Sequence, residues 1–215
     1  MHFDVDPRPK EIKVKRFYRE SLRAQLSFDV DGNEVSPDVR FVDLPSSPIY
    51  TLGMSVPQAW IISPTDSPLD LDNLMLGQLG EPTHVLFDLK QLVMDGHARE
   101  GVSTPPTGLQ LQLRAQGEDE VVSDTQVMTN LGYLQFKAPP GVYDLAIRPG
   151  RGEEVYELQS AGNEGWESPS VQDAGNIVTL TSLEGNTIYP RFTRKEGMET
   201  ADVLEVDEPA GWLSK

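Results

Sequence analysis

The chain has 215 residues, enough for one ordinary domain or two small ones, and its 38% apolar and 24% charged residues place it with folded rather than disordered chains. Eighteen Lys and Arg against 34 Asp and Glu give a formal charge of −16, which repels a phosphate backbone and argues against nucleic-acid partners. No apolar run approaches the roughly 20 residues of a membrane helix, Met1-His2-Phe3-Asp4-Val5-Asp6 lacks the regions of a signal peptide, and the absence of cysteine excludes disulfides, thiolate catalysis and Cys-based zinc sites.

Residues 9–26 form the one ambiguous stretch. Within it, Lys13-Val14-Lys15-Arg16-Phe17-Tyr18-Arg19 is basic and aromatic in an acidic protein, suiting an internal electrostatic contact or an edge defended by charge. Beyond it, short apolar alternations broken by Gly, Pro, Asn and Asp predict strands with tight turns. The expected strands are residues 24–30, 39–42, 84–89, 109–114, 134–137, 142–148, 154–158, 177–181 and 187–192. In 84–89, Val85, Phe87 and Leu89 share a face, as do Leu109, Leu111 and Leu113 in 109–114. Turns are expected at Asp31-Gly32-Asn33, Asp95-Gly96, Gly117-Glu118-Asp119, Pro139-Pro140-Gly141, Gly150-Arg151-Gly152 and Glu184-Gly185-Asn186.

Ser63-Pro64-Thr65-Asp66-Ser67-Pro68 has two prolines and no large apolar side chain, so it reads as a boundary or crossover. The expected architecture is all-β, with two tandem β-sandwich modules: a smaller or partial one over 1–66 and a larger one over 67–195, since several strands must protect their edges by layering or closure. Residues 196–215, with six acids to one base, form a tail or linker.

Chemistry-bearing motifs are sparse. His2, His84 and His97 lack the spacing of a helical metal site; His97, just after Asp95-Gly96, suits a turn carbonyl or solvent. Pairs such as Asp29-Val30-Asp31 and Asp70-Leu71-Asp72 can hold a divalent ion at the end of a strand of a parallel α/β sheet, a sheet the pattern does not show; Asp29-Val30-Asp31-Gly32-Asn33 reads as a strand running into a hairpin turn and lacks the acidic spacing of a complete calcium loop. Gly-x-Ser-x-Gly, a phosphate-binding loop and an N-x-Ser/Thr sequon are absent. No catalytic, metal or cofactor residue is therefore expected. Tyr18, Trp60 and Trp166 are the candidate client or glycan contacts, an indole beside Pro or Gly being suited to gripping a partner as well as to plugging a core.

Asp124-Thr125-Gln126-Val127-Met128-Thr129-Asn130-Leu131-Gly132-Tyr133-Leu134-Gln135-Phe136-Lys137-Ala138, followed by Pro140-Gly141, closely resembles a segment of UDP-glucose:glycoprotein glucosyltransferase. In the same order come Lys15-Arg16-Phe17-Tyr18-Arg19, Asp43-Leu44-Pro45-Ser46-Ser47-Pro48-Ile49-Tyr50-Thr51-Leu52, Val56-Pro57 with Trp60, Asp70-Leu71-Asp72-Asn73, Gly108-Leu109-Gln110-Leu111 and Arg151-Gly152-Glu153-Glu154-Val155-Tyr156. The resemblance implies the non-catalytic β-sandwich region of a folding-sensor enzyme of the endoplasmic reticulum lumen, one that reglucosylates N-glycans of misfolded glycoproteins. It implies no cofactor for this segment, while the parent uses UDP-glucose and a divalent metal such as Ca or Mn in a catalytic domain elsewhere. The implied partners are the parent's other domains and misfolded glycoproteins, with no nucleic acid and no membrane. The implied role is scaffold and client surface; the alternative is a carbohydrate-binding module on the high-mannose N-glycan.

Overall fold

The computed structural model describes residues 11–13, 27–35, 40–65, 67, 69–80 and 82–204, the first three by backbone alone. Among the described residues strands are the dominant regular element, with only short helices, and the chain divides into two compact units, Met1–Lys90 and Gln91–Lys215.

In the first unit β2 (Ile49–Thr51) lies between two short partners. β1 (Glu11–Lys13) runs parallel to it, with Ile12 opposite Tyr50, and β4 (Leu74–Met75) runs antiparallel, with Leu74 opposite Tyr50. Tyr50 and Leu74 are buried, and Phe41, Leu52, Met54, Leu69, Leu71 and Leu76 gather around them. The Tyr50 hydroxyl donates to the Pro45 carbonyl at 2.8 Å, so the ring fills the small core while its polar end is satisfied. β3 (Trp60–Thr65) takes up the front of the proline-rich segment read as a boundary. Residues 40–42, expected as a strand, are irregular; the expected strand at 24–30 shortens, over its described residues, to a bridge between Phe28 and Glu34 across the turn at Gly32.

The second unit has two layers. One is fully antiparallel, in the order β12 (Ile177–Leu180), β10 (Gly141–Ile147), β7 (Gln110–Ala115), β8 (Val121–Gln126). The other is built on a parallel pair. β5 (Leu86–His97), whose part from Gln91 belongs to this unit, continues past Ala98 into β6 (Arg99–Glu100), and β13 (Asn186–Ile188) continues past Pro190 into β14 (Arg191–Arg194); β5 pairs with β13 and β6 with β14. β9 (Tyr133–Ala138) flanks β5 and β11 (Tyr156–Ser160) flanks β14, both antiparallel. Successive strands from β8 to β13 alternate between the layers, the connectivity of a sandwich.

Period-two burial explains the core. Leu111, Leu113, Tyr143, Leu145, Val178 and Leu180 are buried in the first layer, and Leu92, Met94, Leu134, Phe136, Ile188 and Phe192 in the second. Each large aliphatic side chain so buried contributes about 1.5–3 kcal/mol relative to exposure. The one-turn helices α1 (Arg151–Val155) and α2 (Val171–Ala174) sit in connections, α2 opened by Ser170, whose hydroxyl accepts from the Asp173 amide.

Three local expectations change. Asp95-Gly96 is not a turn: it lies inside β5, because Gly96 allows the close approach of β13, where a Cβ would meet the Ile188 carbonyl oxygen at 2.1 Å. The strand expected at 154–158 begins at Tyr156, the preceding residues closing α1. The run 187–192 is split between β13 and β14 on either side of Pro190, which has no N–H for a ladder.

Candidate functional site

The segment 124–138 forms the seam where the edge strands of the two layers meet. β8 pairs with β7 and β9 with β5, and side chains join β8 to β9: Thr125 Oγ1 accepts from the Gln135 amide at 3.4 Å, and Ser123 Oγ from the Lys137 amide at 3.2 Å. Beside this seam lies a cleft of about 420 Å³ lined by Ser123, Asp124, Thr125, Gln126, Met128, Tyr133, Leu134, Gln135 and Lys137. Gln135 Nε2 donates to the Tyr133 hydroxyl at 3.0 Å, which orients both side chains. Arg148 stands 4.0 Å from Asp124, a surface pair that contributes little.

The β8–β9 connection is tightly built. Leu131 and Gly132 both have positive φ, 64° and 67°, a conformation costly for leucine and free for glycine. A Cβ on Gly132 would meet the Ala98 carbonyl oxygen at 2.1 Å, so glycine is required there, and the Gly132 carbonyl accepts from the Ala98 amide at 2.8 Å. His97 Nδ1 lies 3.1 Å from the Leu131 carbonyl, and its ring meets Tyr133 edge-on at 5.7 Å. The turn is thus held from beneath while Leu131 is 79% and Met128 59% exposed. Residues held in such sparsely populated backbone conformations cluster at functional sites.

Of the three aromatics singled out in the sequence, Tyr18 lies outside the described residues. Trp60 is half-buried at the start of β3, its amide donating to the Pro57 carbonyl at 3.0 Å. Trp166 is also half-buried: the Arg99 guanidinium lies over its ring at 4.1 Å, and Tyr189 meets it edge-on at 4.9 Å. Arg191 Nη2 donates to the Ser168 carbonyl in the same loop at 2.8 Å.

The carboxylates of the Asp-x-Asp pairs are engaged in their own turns. Asp29 Oδ1 accepts from the Asp31 and Asn33 amides at 2.9 and 2.8 Å, and Asp70 accepts from the Asp72 amide at 3.1 Å and from Asn73 Nδ2 at 2.8 Å. These bonds favour the ionised form and hold both groups below the usual carboxylate range, the Asn33 amide contributing most at Asp29 and the Asn73 side chain at Asp70. Among the described residues, no three His, Asp or Glu side chains converge on a point where a metal ion would sit. His84 is exposed, and His2 lies outside the described residues.

A partly buried polar triad, with Tyr156 its one buried member, stands apart from the cleft. The Tyr156 hydroxyl donates to Glu100 at 2.7 Å, while Arg194 donates to Glu100 at 2.7 Å and to the Tyr156 oxygen at 2.8 Å. Burial first, and then the Glu100 carboxylate, push the Tyr156 phenol well above the ordinary tyrosine value. Arg194 also donates to the Met198 carbonyl at 3.2 Å, tying down the start of the acidic tail. This is a structural clamp with every partner accounted for.

Sequence reasoning missed Ser123, Thr125, Tyr133 and Gln135 as cleft residues, and Arg99 and Arg191 as holders of the Trp166 loop. The alternation of Ser123 and Thr125 on one face of a strand was the only local signal. Arg99 and Arg191 are far apart in sequence and meet only through the β6–β14 pairing.

A family model described as UDP-glucose:Glycoprotein Glucosyltransferase matches residues 95–205. The chain is 35% identical over 204 residues to the UDP-glucose:glycoprotein glucosyltransferase of Drosophila melanogaster, which covers 94% of this chain and 13% of that protein. It is 34% identical over 197 residues to UDP-glucose:glycoprotein glucosyltransferase 1 of Mus musculus and 33% over 196 residues to that of Homo sapiens, each match covering 90% of this chain and 12% of the relative. The chain therefore spans about one eighth of the length of these relatives.

Proposed function

Since the chain belongs to the UDP-glucose:glycoprotein glucosyltransferase family, we propose that it is a non-catalytic β-sandwich segment of such an enzyme, at work in the endoplasmic reticulum lumen as scaffold and client-recognition surface. The observation that carries the client part is the β8–β9 turn, where exposed Met128 and Leu131 are held on a base fixed by Ala98 and His97. A misfolded glycoprotein offers varied exposed apolar surface, and its reader needs dispersed, weak apolar contacts on a frame that does not itself collapse. A charge of −16 suits a module that must stay soluble among such clients.

The engagement of Asp29 and Asp70 in turns supports leaving UDP-glucose and its divalent metal to another part of the parent. The alternative, a carbohydrate-binding module gripping a glycan through Trp166, has less support, because the Arg99 guanidinium already lies over that indole.

The test is site-specific photocrosslinking in the full-length enzyme, with the probe at 128 or 131 and an unfolded glycoprotein as client. Crosslinks from either position are the expected result. Crosslinks confined to the enzyme's other domains would remove the client role and leave the scaffold role. Separately, UDP-glucose with Ca or Mn should leave the melting temperature of this chain unchanged, whereas a ligand at 100 times its Kd adds about 2.7 kcal/mol.

A further inference from the structure

At the end of the sandwich layer away from the cleft, β12 combines a sequence that invites strand pairing with a geometry that forbids it. β10 pairs with one side of β12, and among the described residues no strand pairs with the other. The run Asn176-Ile177-Val178-Thr179-Leu180-Thr181-Ser182-Leu183 carries no charge, no proline and no glycine, in a chain with 34 acids. Ile177, Val178, Thr179 and Thr181 are β-branched, and Ile177 and Thr179 are exposed. A run of that kind on a sheet edge is a template for another chain.

The ladder fixes which backbone groups face outward. The Leu145 amide donates to the Asn176 carbonyl at 2.9 Å, so that carbonyl points at β10; successive carbonyls of a strand point to opposite sides, which turns those of Ile177 and Thr179 away from the sheet. Both are occupied. Asn163 Nδ2 donates to the Ile177 carbonyl at 2.6 Å, and Asn186 Nδ2 donates to the Thr179 carbonyl at 2.8 Å. The two carboxamides reach the edge from different places, the loop after β11 and the first residue of β13. We propose that Asn163 and Asn186 form a two-point guard that closes the outer edge of β12 to strand addition by a second copy of this chain.

An incoming strand would lie about 4.8 Å from β12 and would need those two carbonyls as acceptors. The carboxamides take both the acceptors and the space. A second copy is the occupant excluded, because two identical strands can pair antiparallel about a twofold axis and nothing charged within 176–183 repels its own counterpart. The guard goes beyond the client role of Met128 and Leu131 and does not rest on it.

The experiment is sedimentation velocity over a concentration series, with amide hydrogen exchange, on the 215-residue chain and its Asn163→Ala/Asn186→Ala variant. The variant should self-associate at least about tenfold more tightly than the parent, since two hydrogen bonds become available at each edge, and the outward amides of Ile177 and Thr179 should gain protection as concentration rises. Adding Thr179→Lys, which places a charge on each paired strand, should return the variant to the parent's behaviour. Should the double variant unfold, Asn186→Ala alone carries the same reading with a several-fold effect. Carboxamides that served only to fix their own loops would leave the oligomeric state unmoved. The proposal is overturned by a folded variant that associates no more than the parent, by association without protection at Ile177 and Thr179, by association that survives Thr179→Lys, or by a parent chain already paired through β12. Binding of an unrelated β-prone peptide by a variant that itself stays monomeric would overturn the second copy as the occupant.

Discussion

Arg99 and Arg191 stand directly opposite each other in the parallel register of β6 and β14, and both engage one loop: Arg99 lies over Trp166 at 4.1 Å and Arg191 donates to the Ser168 carbonyl at 2.8 Å. The loop between β11 and α2 is thereby fastened to the parallel pair. A double-mutant cycle on Arg99→Met and Trp166→Leu should give a coupling of about 0.5–2 kcal/mol, the range of a partly desolvated cation–π pair. Urea unfolding of the four proteins measures it; additivity within error would mean that the stacking is incidental to the loop's stability.

Tyr156 makes the fold sensitive to alkali. Its phenol is held above the ordinary value of about 10 by burial and then by Glu100, so folding favours the protonated form. That contribution is complete below the unfolded-state value and is lost as pH rises from there toward the folded-state value. Tyr50 and Tyr143, raised by burial, act in the same direction. Melting temperature should therefore fall from about pH 10 upward, and Tyr156→Phe should flatten the decline while lowering stability at neutral pH. A flat profile between pH 9 and 11.5 in the parent chain would contradict this account.

Leu131 carries backbone strain that asparagine tolerates better. Leu131→Asn should raise stability by about 1 kcal/mol, from the left-handed penalty relieved at φ 64°, and the melting temperature by roughly 2–4 °C. In the full enzyme the same change should weaken capture of an unfolded client. Gain of stability with unchanged capture would separate the strain from the proposed role.

Gly96 and Gly80 provide a paired test of the parallel strands. Gly96→Ala places a methyl 2.1 Å from the Ile188 carbonyl oxygen, and should cost about 4 kcal/mol or more, or prevent folding. At Gly80 nothing lies within 4 Å of the added Cβ, and the substitution should be neutral or stabilising by up to about 1 kcal/mol. Thermal melts of the two variants decide the matter.

Local alternation was enough to show the all-β class and the inward row Leu109, Leu111 and Leu113, each of which is buried, because side-chain direction in a strand depends only on position along it. The run 124–138 carried the family by residue identity and order. Other features depended on pairings between residues distant in sequence. Gly96 reads locally as a turn residue, and only the arrival of Ile188 from β13 makes it a strand glycine. Trp166 reads equally as a plug and as a grip until Arg99 is laid over it. The cleft is the clearest case: Ser123 and Thr125 look like ordinary solvent-facing strand positions, and the site exists because two edge strands, each paired to a different partner, come together and leave their hydroxyls facing the β9 amides. Sequence sets what each residue can donate, accept or bury; long-range pairing, which no local periodicity encodes, decides which of those groups meet.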